Sequence, residues 1–406
     1  MMSLVHYRSL VGDKTLGAIF EKARQFYGKH ILHINSTSQG GGVAEILHRL
    51  VPLMNDVGVL TGWRTLHAHP DFFEVTKKFH NALQGQKIHF TERKKQLYRD
   101  TNRTFSLYTH IDHDFVVIHD PQPLALIANY KKCQPWIWRC HVDLSHPDEN
   151  LWHFLTQYIL RYDRVILSNE DYLKENLPIK QRIIFPAIDP LSTKNMDLSD
   201  RDIDKYMRKF GISTDKPLVT QISRYDKWKD PCGVIEVFRQ VKKKVDCRLV
   251  LCGNIATDDP EGLKIYERTE RQARDLIRKG DVVMITDPAA SNYIFINALQ
   301  RASSVIVQKS QKEGFGLVVT EALWKAKPVI ASRVGGIPTQ IMDGQNGFLI
   351  DSPQDNGAFA DCIVMLLEDR ETAERIGKEA KEFIRKKFLI TRLLEDYLDV
   401  FIELMT

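Results

Sequence analysis

Arg224 and Lys229 share the charged segment Ser223-Arg224-Tyr225-Asp226-Lys227-Trp228-Lys229-Asp230-Pro231, which directly follows the apolar run Leu218–Ile222. A guanidinium fork and an ammonium point charge on one loop can converge on a diphosphate. The plainer alternative is a charged surface loop with Asp226 and Asp230 as internal partners. Further on, Glu313-Gly314-Phe315-Gly316-Leu317-Val318-Val319-Thr320-Glu321 sets seven residues between two glutamates. A carboxylate accepts paired hydrogen bonds from vicinal diols, which suits Glu321 to a ribose and Glu313 to a hexose. Gly314 and Gly316 let the backbone press against a sugar and offer it N–H groups. A helix beginning near Gly316 would carry Glu321 more than a turn inside it, with Glu313 in the loop before. The alternative is a capping acid followed by an exposed helix glutamate, with Phe315 simply in the core.

The first half of the chain has its own candidates. Gln39-Gly40-Gly41-Gly42-Val43-Ala44-Glu45 lies between an apolar run and a helical stretch. Three glycines allow close backbone approach, and the helix N-terminus beyond them suits phosphate. A tight strand–helix turn would use the same residues. The segment is not G-x-G-x-x-G, and no acidic residue follows a second strand, which counts against a dinucleotide oxidoreductase. His141, in His141-Val142-Asp143-Leu144-Ser145-His146-Pro147, sits where a strand ends. There it can donate to a sugar hydroxyl or a developing charge, with Asp143 orienting it or binding a hydroxyl itself. A lone histidine is more often structural. Asp120 and Gln122, in His119-Asp120-Pro121-Gln122-Pro123, are acceptor-sugar contacts or turn formers. No H-x-x-x-H or H-E-x-x-H spacing occurs around His141, so no metal site is expected.

Positioning these segments is the work of short apolar runs alternating with amphipathic stretches, the pattern of parallel α/β architecture. The spacing predicts strands over His30–Ile34, Phe115–His119, Trp136–Cys140, Arg164–Leu167 and Arg182–Phe185. A second set is predicted over Leu218–Ile222, Arg248–Cys252, Val282–Ile285, Ser304–Gln308 and Pro328–Ala331. Helices are predicted near Asp200–Phe210, Gly233–Lys243 and Leu317–Lys325, and the tail from Asp369 to Thr406 reads as helical. Its Leu393, Leu394, Tyr397, Leu398, Phe401 and Ile402 form a stripe that must pack on something. A length of 406 residues exceeds one ordinary core and implies two domains. Pro186-Ala187-Ile188-Asp189-Pro190 is the stiff punctuation between them, with the polar segment Leu191 to Asp215 following. Two such halves are expected to bind ligand in a cleft at their strand carboxyl ends.

Composition narrows the classes. With 43% hydrophobic and 27% charged residues the chain is neither disordered nor fibrous. A net charge of +5 spread along the length suits anionic small molecules, and the short runs Arg93-Lys94-Lys95 and Lys242-Lys243-Lys244 are too sparse for a nucleic-acid track. No apolar stretch reaches the ~18 residues of a membrane span. No secretory leader is recognisable, and the six cysteines form no C-x-x-C pair. The expectation is a cytoplasmic protein with reduced, mostly buried thiols and no membrane or nucleic-acid partner.

Taken in order, the glycine loop, the strand-end histidine, the Arg…Lys loop, the E-x7-E stretch and Gly335-Gly336-Ile337-Pro338 resemble the retaining glycosyltransferases of the two-Rossmann GT-B type, family 4. The segments HINSTSQGGGVAEIL, HDPQPLAL, WRCHVDLSHP, SRYDKWKDP, INALQRAS and EGFGLVVTEALWKAKPVIASRVGGIP look like the archaeal trehalose glycosyltransferring synthases. The resemblance covers essentially the whole chain. It implies an N-terminal Rossmann-like acceptor domain over residues 1–190 and a nucleotide-sugar domain over 191–387. A C-terminal helix, about 388–406, crosses back to complete the first. It also implies transfer of glucose from UDP- or ADP-glucose to free glucose, giving α,α-trehalose reversibly. No tightly bound cofactor is expected; Mg2+ could stimulate but should not be essential, and a homodimer is compatible. Carried over, Arg224 and Lys229 hold the diphosphate and Glu321 the ribose. Glu313, with Ser223, Phe315, Gly316 and Leu317, holds the donor sugar. Gly40, Gly41 and Gly42 close over the phosphates, and His141 contacts the donor sugar near the reacting carbon. Asp120, Gln122 and Asp143 face the acceptor. Ser223 departs from the glycine often found before the arginine, which touches the turn more than the chemistry.

Retention in glycosidases normally uses a carboxylate nucleophile beneath the ring, and none is assignable here. A front-face displacement is expected instead, with the leaving phosphate taking the acceptor's proton. Retaining trehalose phosphorylases look similar, and a sugar-nucleotide epimerase shares the fold but needs no acceptor. A non-catalytic sugar-nucleotide sensor and an NAD-dependent dehydrogenase are weaker alternatives.

Overall fold

A computed structural model describes residues 3–39, 41–254, 260–286 and 289–405. The chain divides into two compact units, residues 1–187 with 390–406, and residues 188–389.

The first unit holds a six-stranded parallel sheet. In chain order its elements are α1 (Arg8–Arg24), β1 (His30–Asn35), α2 (Gly42–Asp56), β2 (Leu60–Thr65), α3 (Pro70–Leu83), α4 (Glu92–Tyr108), β3 (Phe115–His119), β4 (Trp136–Arg139), α5 (Glu149–Ile159), β5 (Arg164–Leu167) and β6 (Gln181–Ile183). The strands lie side by side as β2-β1-β3-β4-β5-β6. β1 has β2 on one flank and β3 on the other, with His33 opposite Trp63 and Val117. The strand order therefore reverses between β1 and β3, the place where open α/β sheets bind ligands beyond their strand ends. β3, β4 and β5 are buried along their full length, as strands with helices on both faces must be.

The second unit repeats the architecture: α6 (Asp200–Lys209), β7 (Leu218–Ile222), α7 (Pro231–Lys242), β8 (Arg248–Cys252), α8 (Pro260–Arg278), β9 (Val282–Ile285), α9 (Tyr293–Ala302), β10 (Val305–Gln308), α10 (Leu317–Trp324), β11 (Val329–Ser332), β12 (Phe348–Ile350), α11 (Asn356–Glu368) and α12 (Arg370–Lys387). Its order is β12-β11-β10-β7-β8-β9, so β7 and β10 flank the reversal. α13 (Ile390–Met405) belongs to the first unit. Leu393, Leu394, Tyr397, Leu398 and Phe401 are buried, and Lys22 of α1 meets both Glu395 and Asp399 at 2.8 Å.

The tail is helical as expected, in two helices that break at Phe388-Leu389, where the chain leaves the second unit. Two expectations need correction. β2 and β12 are strands that the pattern missed. β2 reads LTGWRT and is nowhere fully buried, and β12 is the apolar run FLI, only three residues long, so neither edge strand fills a strand-length apolar template. The segment after Pro190 is no mere polar punctuation: Asn195 is 1% exposed, its carbonyl accepts from Trp324 Nε1 at 3.2 Å, and its side chain accepts from Lys325 Nζ at 2.8 Å. All six cysteines are free thiols, three of them buried, two half-buried and Cys133 exposed. Among the described residues no helix is long and apolar enough to cross a membrane.

Candidate active site

The loop after β7 is wound by its own carboxylates. Asp226 Oδ1 accepts from Trp228 N (2.9 Å) and Lys229 N (3.1 Å), making a single 3-10 turn. Asp230 adopts a left-handed φ of 47° and caps α7 through Gly233 N at 3.0 Å. Lys309, 2% exposed just beyond β10, pairs with Asp230 and so ties the two switch-point loops together. Lys229 pairs with Glu313, whose Oε2 also accepts from Gln308 Nε2 (3.3 Å) and Ser310 Oγ (3.4 Å). Arg224 is 66% exposed and meets Asp226 at 3.1 Å. The reading of both aspartates as internal partners therefore holds in geometry, and Arg224 and Lys229 nevertheless stand together at the sheet's reversal point.

Gly316, at φ 87°, is the N-cap of α10, and a Cβ there would lie 3.2 Å from Glu313 Cγ. The backbone can turn into the helix beside the glutamate only without a side chain. Leu317 opens α10. Phe315 is 6% exposed. Its carbonyl accepts from Gln340 Nε2 at 2.6 Å, and Gln340 Oε1 accepts from Thr320 at 2.6 Å. Glu321 is fully buried rather than an exposed helix glutamate, and meets Lys194 at 2.7 Å. Ser223 N donates to Cys252 O at 2.9 Å. A Cβ at Gly253 would lie 1.7 Å from the Ser223 carbonyl oxygen. Gly253→Ala should therefore destabilise the protein by about 1–3 kcal/mol, the scale of overpacking, and displace the Arg224 turn. Calorimetry showing an unchanged melting temperature would contradict this.

In the first unit Gly41 (φ 80°) is the N-cap of α2 and Gly42 its first residue, while Gly40 lies outside the described residues. His141 follows β4. Its backbone N–H donates to Asp120 Oδ1 at 2.7 Å, and its ring Nε2 meets His119 Nδ1 at 3.0 Å. Asp143 does not orient that ring. Its Oδ1 instead accepts from Ser145 N (2.8 Å) and Oγ (2.6 Å), closing a local turn. Asp120 is strained into φ 63° and supported by Trp138 Nε1 on its carbonyl at 3.1 Å. Burial raises its carboxyl to about 6, against the lowering pull of the His141 N–H and Arg139. Gln122 presents a buried side-chain oxygen with no hydrogen-bond partner among the described residues, and its carbonyl accepts from Asn102 at 3.1 Å. Among the described residues no cluster of histidine, cysteine, aspartate or glutamate is placed to hold a metal ion.

Lys194, Lys309 and Gln340 escaped the sequence reading because each acts through a partner far along the chain. His33 left only a faint trace, a polar residue inside the apolar run HILHIN.

Residues 33–174 match the family model described as trehalose synthase, N-terminal domain, and residues 202–383 match glycosyl transferases group 1. Over 401 residues the chain is 46% identical to the trehalose synthase of Thermococcus litoralis, covering 98% of this chain and 96% of that one. It belongs to the trehalose synthase family. Like the family, it is a glycosyltransferase built on the GT-B fold. A more distant relative is the trehalose phosphorylase of Pleurotus pulmonarius, 29% identical over 94% of this chain and 58% of that protein. Among solved structures, an α,α-trehalose-phosphate synthase (UDP-forming) from Burkholderia xenovorans superposes with a TM-score of 0.73 at 10% identity, over 92% of this chain and 99% of that one.

Proposed function

We propose that the protein moves glucose from a nucleoside-diphosphate-glucose, UDP- or ADP-glucose, to free glucose, forming α,α-trehalose reversibly with retention at the anomeric carbon. The observation that carries this reading is the meeting of Lys229 after β7 with Glu313 after β10, on neighbouring strands where the sheet order reverses, with Arg224 exposed on the same loop as Lys229. Two cations there match a diphosphate, and the adjoining carboxylate matches a sugar hydroxyl. Glu321 would take the ribose, and Ser223 with the Phe315–Leu317 backbone would line the donor. From the first unit, His141 would contact the donor glucose, Gly40 to Gly42 the phosphates, and Asp120, Gln122 and Asp143 the acceptor.

In the step itself the bond from glucose C1 to the β-phosphate oxygen breaks. An acceptor hydroxyl oxygen bonds C1 on the same face, and its proton passes to the departing diphosphate. Arg224, Lys229 and the N-terminus of α10 stabilise the charge that develops there. No carboxylate is cast as nucleophile, and the side chains supply the positive charge that a divalent ion would otherwise bring.

Product analysis by NMR tests the reading. Mixing UDP- or ADP-glucose with glucose should give α,α-trehalose and the free nucleoside diphosphate. A new sugar nucleotide formed without acceptor would make the protein an epimerase. Turnover of glucose 1-phosphate with glucose, and none of either nucleotide sugar, would make it a phosphorylase.

A further inference from the structure

Three imidazoles form an unbroken line across the first sheet. His33 of β1 meets His119 of β3 at 2.9 Å, Nδ1 to Nε2, and His119 meets His141 at 3.0 Å, Nδ1 to Nε2. The rings meet edge to edge, with centroids 5.2 and 5.4 Å apart and planes within 27° and 17° of parallel, as in-plane N–H donation requires. His33 and His119 are 0% and 1% exposed, and neither has been given any part in the chemistry. We propose that His33 and His119 are positioning residues that fix the tautomer of His141, so that its Nδ1 carries the proton offered to the donor sugar. The inference rests on the proposed function for that sugar contact, and deepens it.

The direction of the line follows from its buried end. A neutral imidazole has one N–H and one bare nitrogen, so each ring that donates forward must accept from behind. Only two arrangements satisfy both contacts, one with every proton on Nδ1 and one with every proton on Nε2. His33 Nε2 is buried with no hydrogen-bond partner among the described residues. A buried acceptor without a partner costs less than a buried N–H without one. The bare nitrogen therefore belongs at His33 Nε2. His33 then donates from Nδ1 to His119 Nε2, and His119 from Nδ1 to His141 Nε2. His141 is left with its proton on Nδ1, the nitrogen outside the line. Three features keep the rings neutral, and so keep the two-state logic intact. Burial depresses the basicity of all three, His33 to about 3. Arg139 adds a lowering charge at His119 and His141. The ring packed edge-on against His33, at 5.7 Å, is the uncharged Tyr397 of α13. Asp120, the carboxylate beside His141, touches its backbone N–H rather than its ring.

The test combines histidine 15N NMR of the resting full-length protein with steady-state kinetics. The wild type should show His141 as the Nδ1–H tautomer. His33→Leu should leave His141 in mixed tautomers and lower kcat about 10- to 100-fold, the scale on which loss of an imidazole's orienting partner is felt, with both KM values within about twofold. His119→Phe, which keeps an aromatic ring but no nitrogen, should do the same. His33→Asn, which restores a donor near the lost Nδ1, should recover most of kcat and guards against a leucine variant that fails to fold. An Nε2–H tautomer at His141 in the wild type would overturn the inference. So would folded His33→Leu and His119→Phe proteins with wild-type kcat and unchanged His141 signals. His141→Ala with wild-type turnover would instead remove the sugar contact on which the inference stands, while the tautomer in the resting protein would still report whether the line exists.

Discussion

Arg224→Ala should lower kcat for trehalose formation about 30- to 1000-fold while leaving the melting temperature almost unmoved. The barrier increase behind this, about 2–4 kcal/mol, is the usual scale for removing one donor aimed at developing charge. The thermal silence follows from exposure. Arg224 is 66% exposed and, among the described residues, its ion pair is with Asp226. Such a surface pair contributes about 0–1 kcal/mol. Lys229→Ala should show the same kinetic loss with a different thermal signature, because Lys229 is 14% exposed and its removal leaves Glu313 at 12% exposure without its cation. Gln308 and Ser310 would remain on that carboxylate, so the stability loss should be partial. Stopped assays with the nucleotide sugar, set beside calorimetry of both variants, check the pair. Wild-type turnover in Arg224→Ala would remove the arginine from the leaving-group site.

The largest stability effect is expected at Lys194. Glu321 is fully buried, and Lys194 meets it at 2.7 Å while itself only 14% exposed. Removing one partner of a buried ion pair costs about 3–5 kcal/mol, since the other charge stays desolvated. Lys194→Ala should therefore lower the unfolding transition of the second unit markedly. Adding Glu321→Gln should return much of the loss, because a neutral amide needs no counter-charge. A double-mutant cycle reads the coupling directly. Less than about 1 kcal/mol lost in Lys194→Ala would mean that Glu321 is satisfied without the lysine. Donor KM in Glu321→Gln alone tests the ribose assignment separately from stability.

How far the sequence carries depends on where each residue's partner lies. β3, β5, β7, β8 and β9 were legible to the residue, because each is a short, largely apolar run bounded by polar or turn-forming residues. The glycine at the start of α10 and the placement of Glu321 more than a turn inside that helix were legible from the E-x7-E spacing. β2 was not, since half-buried LTGWRT satisfies no apolar template. At the candidate site the motif residues could be named, but not whom they touch. Glu313 meets Lys229 across 84 positions, Lys309 meets Asp230 across 79, and Glu321 is served by Lys194 from what looked like a linker. The histidine line is the sharpest case. His119 ends β3 and His141 lies two residues past β4, yet only the parallel pairing of β1 with β3 and β3 with β4 brings their rings and that of His33 within hydrogen-bond distance.

The return of α13 to the first unit sets an order on the ribosome. Phe401 packs edge-on or tilted against Phe26 and Phe115, and Arg392 donates to the Phe185 carbonyl at 2.7 Å. None of those contacts exists until residues 390–405 have been synthesised, by which time the whole second unit has been made. At about 5–20 residues per second, the intervening 188–389 stretch imposes a delay of roughly 10–40 s. During that interval Phe26, Phe115 and His33 lack the cover that Phe401 and Tyr397 give them, so the nascent first unit carries that surface unpacked.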